Sequence, residues 1–381
     1  MVGATTAFRL SWLTWLLFPM MAVVLVIATQ VGAVTGRDLQ QCVRDRFPRV
    51  VQWALLLSIV AVSVLTIAAD AHAGASALAL LIPVDPTWLL VFLAVGVVGL
   101  LLLGSYHRVE QVLKYVLLCL LAYPVAAVLA HPDWGQVLHD TLFPRLSTDP
   151  DVVYGALALL GTTITGYVYV WQTIQTAEER AGGRNIDDGL RWGKKDAVVG
   201  VFFTVVIMWF ILVATGATLG ARHQQVNSAE DAAQALAPLA GRYAGQLFGV
   251  GLLASALLAL PVLIASTGYI IASQLGRPRG LSEPVRRAPA FYFTIVMSTV
   301  VAVVITATDS DTIRLLLLAS VIGGIATPIG LAALMAAASD GDLMGDRAIG
   351  GALRVAGWAV KVAIALLSGG YLLQQIAGGS S

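Results

Sequence analysis

The sequence reads as an all-α integral membrane protein that crosses the bilayer about ten times. Three observations carry this. Only 12% of its 381 residues are charged and 58% are hydrophobic, whereas a soluble globular chain carries about 25% charge. Mean hydropathy is +0.83. Apolar stretches long enough to cross a hydrocarbon core of roughly 30 Å recur along the chain, separated by short polar loops.

The stretches run over 8–34, 50–84, 88–104, 109–130, 152–175, 197–219, 244–274, 289–307, 312–338 and 349–376. The second exceeds one straight span, so part of it is expected in the outer loop or bent at Gly74. Basic residues set the orientation. The loops joining spans 1/2, 3/4, 5/6, 7/8 and 9/10 hold seventeen of the 23 Lys and Arg, among them Arg37, Arg44, Arg46, Arg180, Arg279 and Arg347. The opposite loops hold four: Arg145, Arg222, Arg242 and Arg314. The first set is therefore cytoplasmic. Both chain ends are then expected outside, with Arg9 beside the first span and no signal peptide before it. On that topology the span from Phe8 behaves as the second helix of a bundle whose first is absent.

Several function classes are disfavoured. A net charge of +1 gives no basic surface for nucleic acid. Cys42 and Cys119 form no C-x-x-C pair, so neither a disulfide nor a zinc site is expected. No paired carboxylates, Ser/His/Asp set or H-E-x-x-H occurs at membrane depth, which argues against an enzyme. No cofactor is expected. Asp187-Asp188 and Asp340-Gly-Asp342 read as solvated loop charge, and Trp12, Trp15, Trp53, Trp88 and Trp134 as interfacial anchors.

Two features point to chemistry inside the membrane. Asp70 is the acidic residue well inside an apolar stretch. A carboxylate there costs about 2.5–3.5 kcal/mol on insertion scales and usually lines a pathway or pairs with a partner; the alternative is a hydrated position near the outer interface. The segment LGTTITGYVYVWQ, residues 160–172, interrupts a span with Gly161, Gly166 and three threonines. A break would free backbone carbonyls, tolerated at membrane depth only against protein or a water-filled cavity. The alternative is a Gly/Thr packing face between helices, and the residues alone leave both open. A second Gly/Pro interruption, ASVIGGIATP over 319–328, falls in a late span. Two interrupted spans in different halves point to a site near the midplane.

At these residues the chain resembles the Nramp (natural resistance-associated macrophage protein) family of divalent metal transporters, in a divergent prokaryotic branch. The stretch VTGRDLQQCVRDRFP, residues 34–48, is similar to the loop after the family's second helix. Ala69-Asp70 resembles the acidic position of its third helix, and the family's neighbouring Glu falls on Ala73. Residues 161–172 resemble the sixth-helix segment, G-A-T-V-M-P-H-N in the main branch and G-T-T-I-S-P-Y in the divergent one. The resemblance covers nearly the whole chain. It implies a LeuT-like inverted-repeat fold with the first helix missing, in one transmembrane domain over 1–381: a first repeat of about 1–145, a second of about 146–345 and an extra helix over 346–376. The absent helix would carry the family's D-P-G ligand, so an inactive truncated fragment is one alternative.

Carried over by position, the resemblance implies metal ligands at Thr162 (carbonyl), Thr165 and Ser320. It implies a substrate pathway at Thr163, Gly166, Tyr167 and Gln172, and a proton pathway at Asp70. Thr165 stands where the family has methionine and Tyr167 where it has histidine. Oxygen in place of soft sulfur favours manganese or magnesium over cadmium. Tyrosine does not titrate near pH 7 as histidine does, which places the family's proton symport in question. The implied function is alternating-access transport of a divalent cation across the plasma (bacterial inner) membrane, with the metal ion and lipid as partners, no nucleic acid, and a monomer as the working expectation. The alternative within the fold is a transporter of an organic substrate such as an amino acid.

Overall fold

The computed structural model describes residues 2–104, 106–145, 147, 149–218, 244–308 and 312–378. Its helices are α1 (Val2–Thr6), α2 (Ser11–Thr35), α3 (Leu39–Arg46), α4 (Arg49–Ala79), α5 (Pro86–Leu103), α6 (Tyr106–Cys119), α7 (Ala122–Leu129), α8 (Trp134–Leu142), α9 (Pro150–Thr163), α10 (Gly166–Ala181), α11 (Ile186–Thr218), α12 (Ala244–Gln274), α13 (Pro289–Thr308), α14 (Thr312–Ser339), α15 (Gly341–Met344) and α16 (Gly351–Gly378). Among the described residues, eight helical segments are long and apolar enough to cross a membrane. The remaining two expected spans are the α9–α10 pair and α14.

Local chemistry explains where helices stop. The 109–130 stretch is two helices because Pro124 offers no N–H to the carbonyl of Leu120 and its ring crowds that carbonyl; the turn closes instead through Tyr123 N–H to Leu120 O at 3.0 Å. Helix α2 ends at Gly36 in the left-handed region, φ 64°, where glycine carries no Cβ penalty. Arg180 donates to the carbonyls of Ala33 and Val34 there, placing a cation on the negative end of α2. Helix α3 opens with a capping box between Asp38 and Gln41.

One expectation is settled and one corrected. Helix α4 is continuous through Gly74 for 31 residues and ends at Ala79, so of the two expectations for the 50–84 stretch the outer loop holds, residues 80–84 lying beyond the helix, and no break falls at Gly74. Its apolar faces pack on α12 and α14, with α13 and α5 alongside, and that support keeps the ladder intact. Helix α14 likewise continues through residues 319–328 with Pro328 inside it. Neighbouring helices sustain a proline in a membrane helix, and α4, α2 and α16 all pack on α14.

Packing divides the helices into two groups. Helices α2, α10 and α11 pack closely on one another, and α4 gathers α12, α13 and α14. Thr306 on α13 donates to the Ala68 carbonyl of α4 at 3.0 Å.

The basic loops meet on one side, as the charge pattern requires. Arg46 pairs with Asp340 and Asp342, Arg347 with Asp187 and Arg279 with Asp38. These ties join the loops after spans 1, 5, 7 and 9, and they give Asp187, Asp340 and Asp342 structural partners. Near the N-terminus, Arg9 instead pairs with Asp149. Helix α3 packs on members of both groups. The buried Asp38 carboxylate accepts from Ser273 Oγ at 2.7 Å and Arg279 Nε at 3.1 Å, while Leu39 N–H donates to Thr173 on α10. Gln40, Gln274 and Gln52 complete a buried amide chain at 2.8 and 3.1 Å.

Cys42 and Cys119 are free thiols. Burial, with Asp38 nearby, pushes the Cys42 thiol up to about 12. Its folded pKa lies far above pH 8, so it remains a neutral thiol there, and only the thiolate is nucleophilic. In a Cys119→Ser background, maleimide at pH 8 is expected to leave the native protein unlabelled and to label it fully after unfolding in denaturant; rapid labelling of the native protein would contradict the buried placement.

Candidate functional site

Helix α9 ends at Thr163, Ile164 and Thr165 are non-helical, and α10 begins at Gly166. Thr165 is extended, φ −91° and ψ 156°, and caps α10 without a side-chain hydrogen bond. The local sequence favours a break: Thr162, Thr163, Ile164 and Thr165 are four β-branched residues in a row, each restricted at χ1 in a helix, and Gly166 follows with its added backbone freedom. Ending α9 leaves the carbonyls of its last turn without intrahelical partners, and starting α10 leaves its first amides equally free. The break therefore presents oxygen acceptors from one half-helix and N–H donors from the other.

The structure brings part of the expected set to this break. Thr165 is buried, and its Oγ1 makes no hydrogen bond of normal geometry among the described residues, the Tyr167 side chain being its polar neighbour. Thr163 sits in the last turn of α9, donating to Leu159 O at 2.5 Å, with Met208 Sδ 3.8 Å from the same hydroxyl. Tyr167 stands beside Thr165 and within electrostatic range of Asp70, which is half-buried on α4. Gln172 lies farther along α10 and donates to Thr29 Oγ1 on α2 at 2.9 Å. The side chains of Thr162 and Ser320 lie outside the described residues; the backbone of Thr162 is in the last turn of α9 and that of Ser320 within α14.

Sequence reasoning missed four groups. Ser63 on α4, Tyr169 on α10 and Thr327 on α14 are buried, with hydroxyls that have no partner among the described residues. Tyr169 sits in a notch at Gly330 of α14: a Cβ there would collide with the tyrosine hydroxyl, and Leu55 of α4 forms the adjoining wall at 3.2 Å. These contacts place the start of α10 against α4 and α14. The fourth group is Met208, which lines a cavity of about 660 Å³ together with Gln172 and Gln175 of α10 and Asp196 of α11. None of the four stands out in the sequence, where each is one small polar, aromatic or thioether residue in an apolar run.

A discontinuous helix held between two packed groups of spanning helices is the architecture of secondary transporters, which place substrate at such breaks. Within that class, the chain belongs to the Nramp family: residues 1–374 match the family model, described as natural resistance-associated macrophage protein-like. The chain is 28% identical to the divalent metal cation transporter MntH of Aeromonas hydrophila over 90% of its length and 83% of that protein's. It is 31% identical to MntH of Xylella fastidiosa over 93% and 76% respectively. Among solved structures it is similar to a manganese transporter of Eremococcus coleocola, with a TM-score of 0.77 and 20% identity over 100% of this chain and 83% of that one. It is also similar in fold to Mhp1, a nucleobase-cation-symport-1 family transporter, with a TM-score of 0.61 and 16% identity over 95% and 84%. The fold is thus a transporter fold, not that of an enzyme.

The Gly330 notch generates a test. Gly330→Ala is expected to destabilise the protein by about 1–3 kcal/mol through overpacking against Tyr169. Adding Tyr169→Phe removes the colliding oxygen and should recover part of that loss. Thermal melts in detergent check this; equal melting temperatures for the single and double variants would contradict the contact.

Proposed function

We propose that this chain carries divalent metal ions, of the manganese class, across the bacterial plasma membrane by alternating access, with the ion held at the α9–α10 break. The observation that carries the reading is the break itself, with the buried Thr165 hydroxyl inside it, which makes no hydrogen bond of normal geometry. A buried hydroxyl without a partner costs roughly 1–3 kcal/mol, and native structures keep such groups where a water or ion completes them. Family membership and the names of the bacterial relatives supply the substrate class.

In this reading the Thr162 carbonyl, Thr165 and Ser320 from α14 are ligands, and Thr163, Gly166, Tyr167 and Gln172 border the route. Asp70 serves any accompanying proton movement; its range to Tyr167 supports placing it beside the site. Residues of about 1–145 and 146–345 form the two repeats, and the single chain is the transporting unit.

Oxygen donors suit manganese and magnesium, and selection among them follows cavity size and retained water. Placing sulfur at the break should therefore shift selectivity. With purified protein in liposomes, wild type is expected to take up manganese, and Thr165→Met is expected to raise the cadmium-to-magnesium uptake ratio, because thioether sulfur favours the softer ion. A ratio unchanged by the substitution would remove Thr165 from the ion site, and wild type that moves no divalent ion would overturn the function.

A further inference from the structure

We propose that the exposed face of α11 binds one anionic phospholipid from the leaflet on the side of the basic loops, with Arg191 and Lys195 holding its phosphate. This surface is separate from the ion site at the break. Arg191 and Lys195 stand about one helical turn apart. Both lie over the ring of Trp192, the guanidinium carbon 5.5 Å and the ammonium nitrogen 5.4 Å from its centroid, a range at which an indole attracts a cation. Like charges at this i, i+4 spacing repel each other, and a phosphate between them relieves that. Among the described residues neither cation pairs with a carboxylate. Asp187 is taken by Arg347 at 2.6 Å, and Asp188 accepts from Asn185 at 2.8 Å. Asp196 lines the neighbouring cavity. Lys194, between the two cations, turns the other way and donates to Gln30 Oε1 of α2 at 2.6 Å. That bond fixes the helix against α2 with Arg191, Trp192 and Lys195 exposed.

Beyond the cations the same face turns apolar. Val199, Phe202 and Phe203 follow Lys195 by about one and two turns and are exposed. Gly200 leaves open space beside them. Phe202 is backed by Trp15 and Phe18 of α2, with ring centroids 6.3 and 6.0 Å away. Exposed apolar side chains at this depth of a spanning helix meet acyl chains. From Arg191 to Phe202 the helix rises about 16 Å, close to half of a hydrocarbon core of roughly 30 Å. Headgroup contacts and an acyl lane therefore lie end to end over the depth of one leaflet. A tryptophan at this level also serves as a plain interfacial anchor. An anchor alone does not distinguish one phospholipid headgroup from another, whereas two cations gathered on one ring favour a headgroup that carries net negative charge.

Native mass spectrometry of the full chain in detergent reads bound lipid directly, with phosphatidylglycerol and phosphatidylcholine of the same acyl chains as probes. Wild type is expected to retain one phosphatidylglycerol at about tenfold lower lipid concentration than phosphatidylcholine. Arg191→Gln with Lys195→Gln should bring phosphatidylglycerol to the phosphatidylcholine level. Arg277→Gln with Arg286→Gln removes the same charge from exposed positions of another basic loop and should leave the preference intact. All four side chains are exposed, so melting curves that match wild type confirm the fold. Equal retention of the two lipids by wild type, or retention of neither, overturns the site. So does a preference that survives Arg191→Gln with Lys195→Gln, or one that both double variants lose equally.

Discussion

In a bilayer core no water is at hand to satisfy backbone N–H and C=O groups, so a spanning chain must pair them within its own helices. Nearly every feature of this fold follows from that demand. Helix α4 stays intact for 31 residues through Gly74, and α14 carries Pro328 without breaking. The interruption between Thr163 and Gly166 stands out against them. It is accommodated because α10 starts against α4 and α14, with Tyr169 seated at Gly330. Protein, rather than lipid, surrounds the freed backbone, and the same freed groups are what an ion can use.

Movement of an ion past that point needs one helix group to shift against the other. The two groups are tied on the side of the basic loops by α3. Its Asp38 reaches Ser273 and Arg279 at the α12 end, while its Leu39 N–H reaches Thr173 on α10. Tyr269 on α12 also donates to Glu178 on α10 at 2.8 Å. Helix α3 therefore couples the broken helix to the α4 group by directional bonds, which must be exchanged when that side opens. By contrast, the exposed pairs, such as Arg9–Asp149, are screened by solvent and contribute little to stability.

Much of this was legible in the sequence, for identifiable reasons. Hydropathy read out the spans because burial in a bilayer is a physical demand on the chain, and the ion pairs of Arg46, Arg279 and Arg347 bring together the basic loops that the charge bias had grouped. The break was one of two readings the residues left open, because Gly161, Gly166 and the threonines suit a packing face between helices as well as an interruption. What failed was the extension of that logic to 319–328: Gly and Pro weaken a helix in isolation, but α4, α2 and α16 packed on α14 override local propensity. Tyr169, Thr327, Ser63 and Met208 were illegible because their meaning lies in which helix faces which, and no periodicity in one strip of sequence encodes that. The Met208 contact with Thr163 spans 45 residues of chain, and only the packed helices bring it to the break.

The central claim is that the α9–α10 break is where the transported ion sits. Hydrogen exchange of the backbone amides at the break, followed by mass spectrometry with and without manganese, tests it most directly. The first amides of α10, Gly166 and Tyr167, lack intrahelical partners, and ion binding should order the segment around them. The account predicts slowed exchange over residues 164–168 on adding manganese, with little change in α5 or α13. Unchanged exchange at the break, together with protection of a different segment, would contradict it.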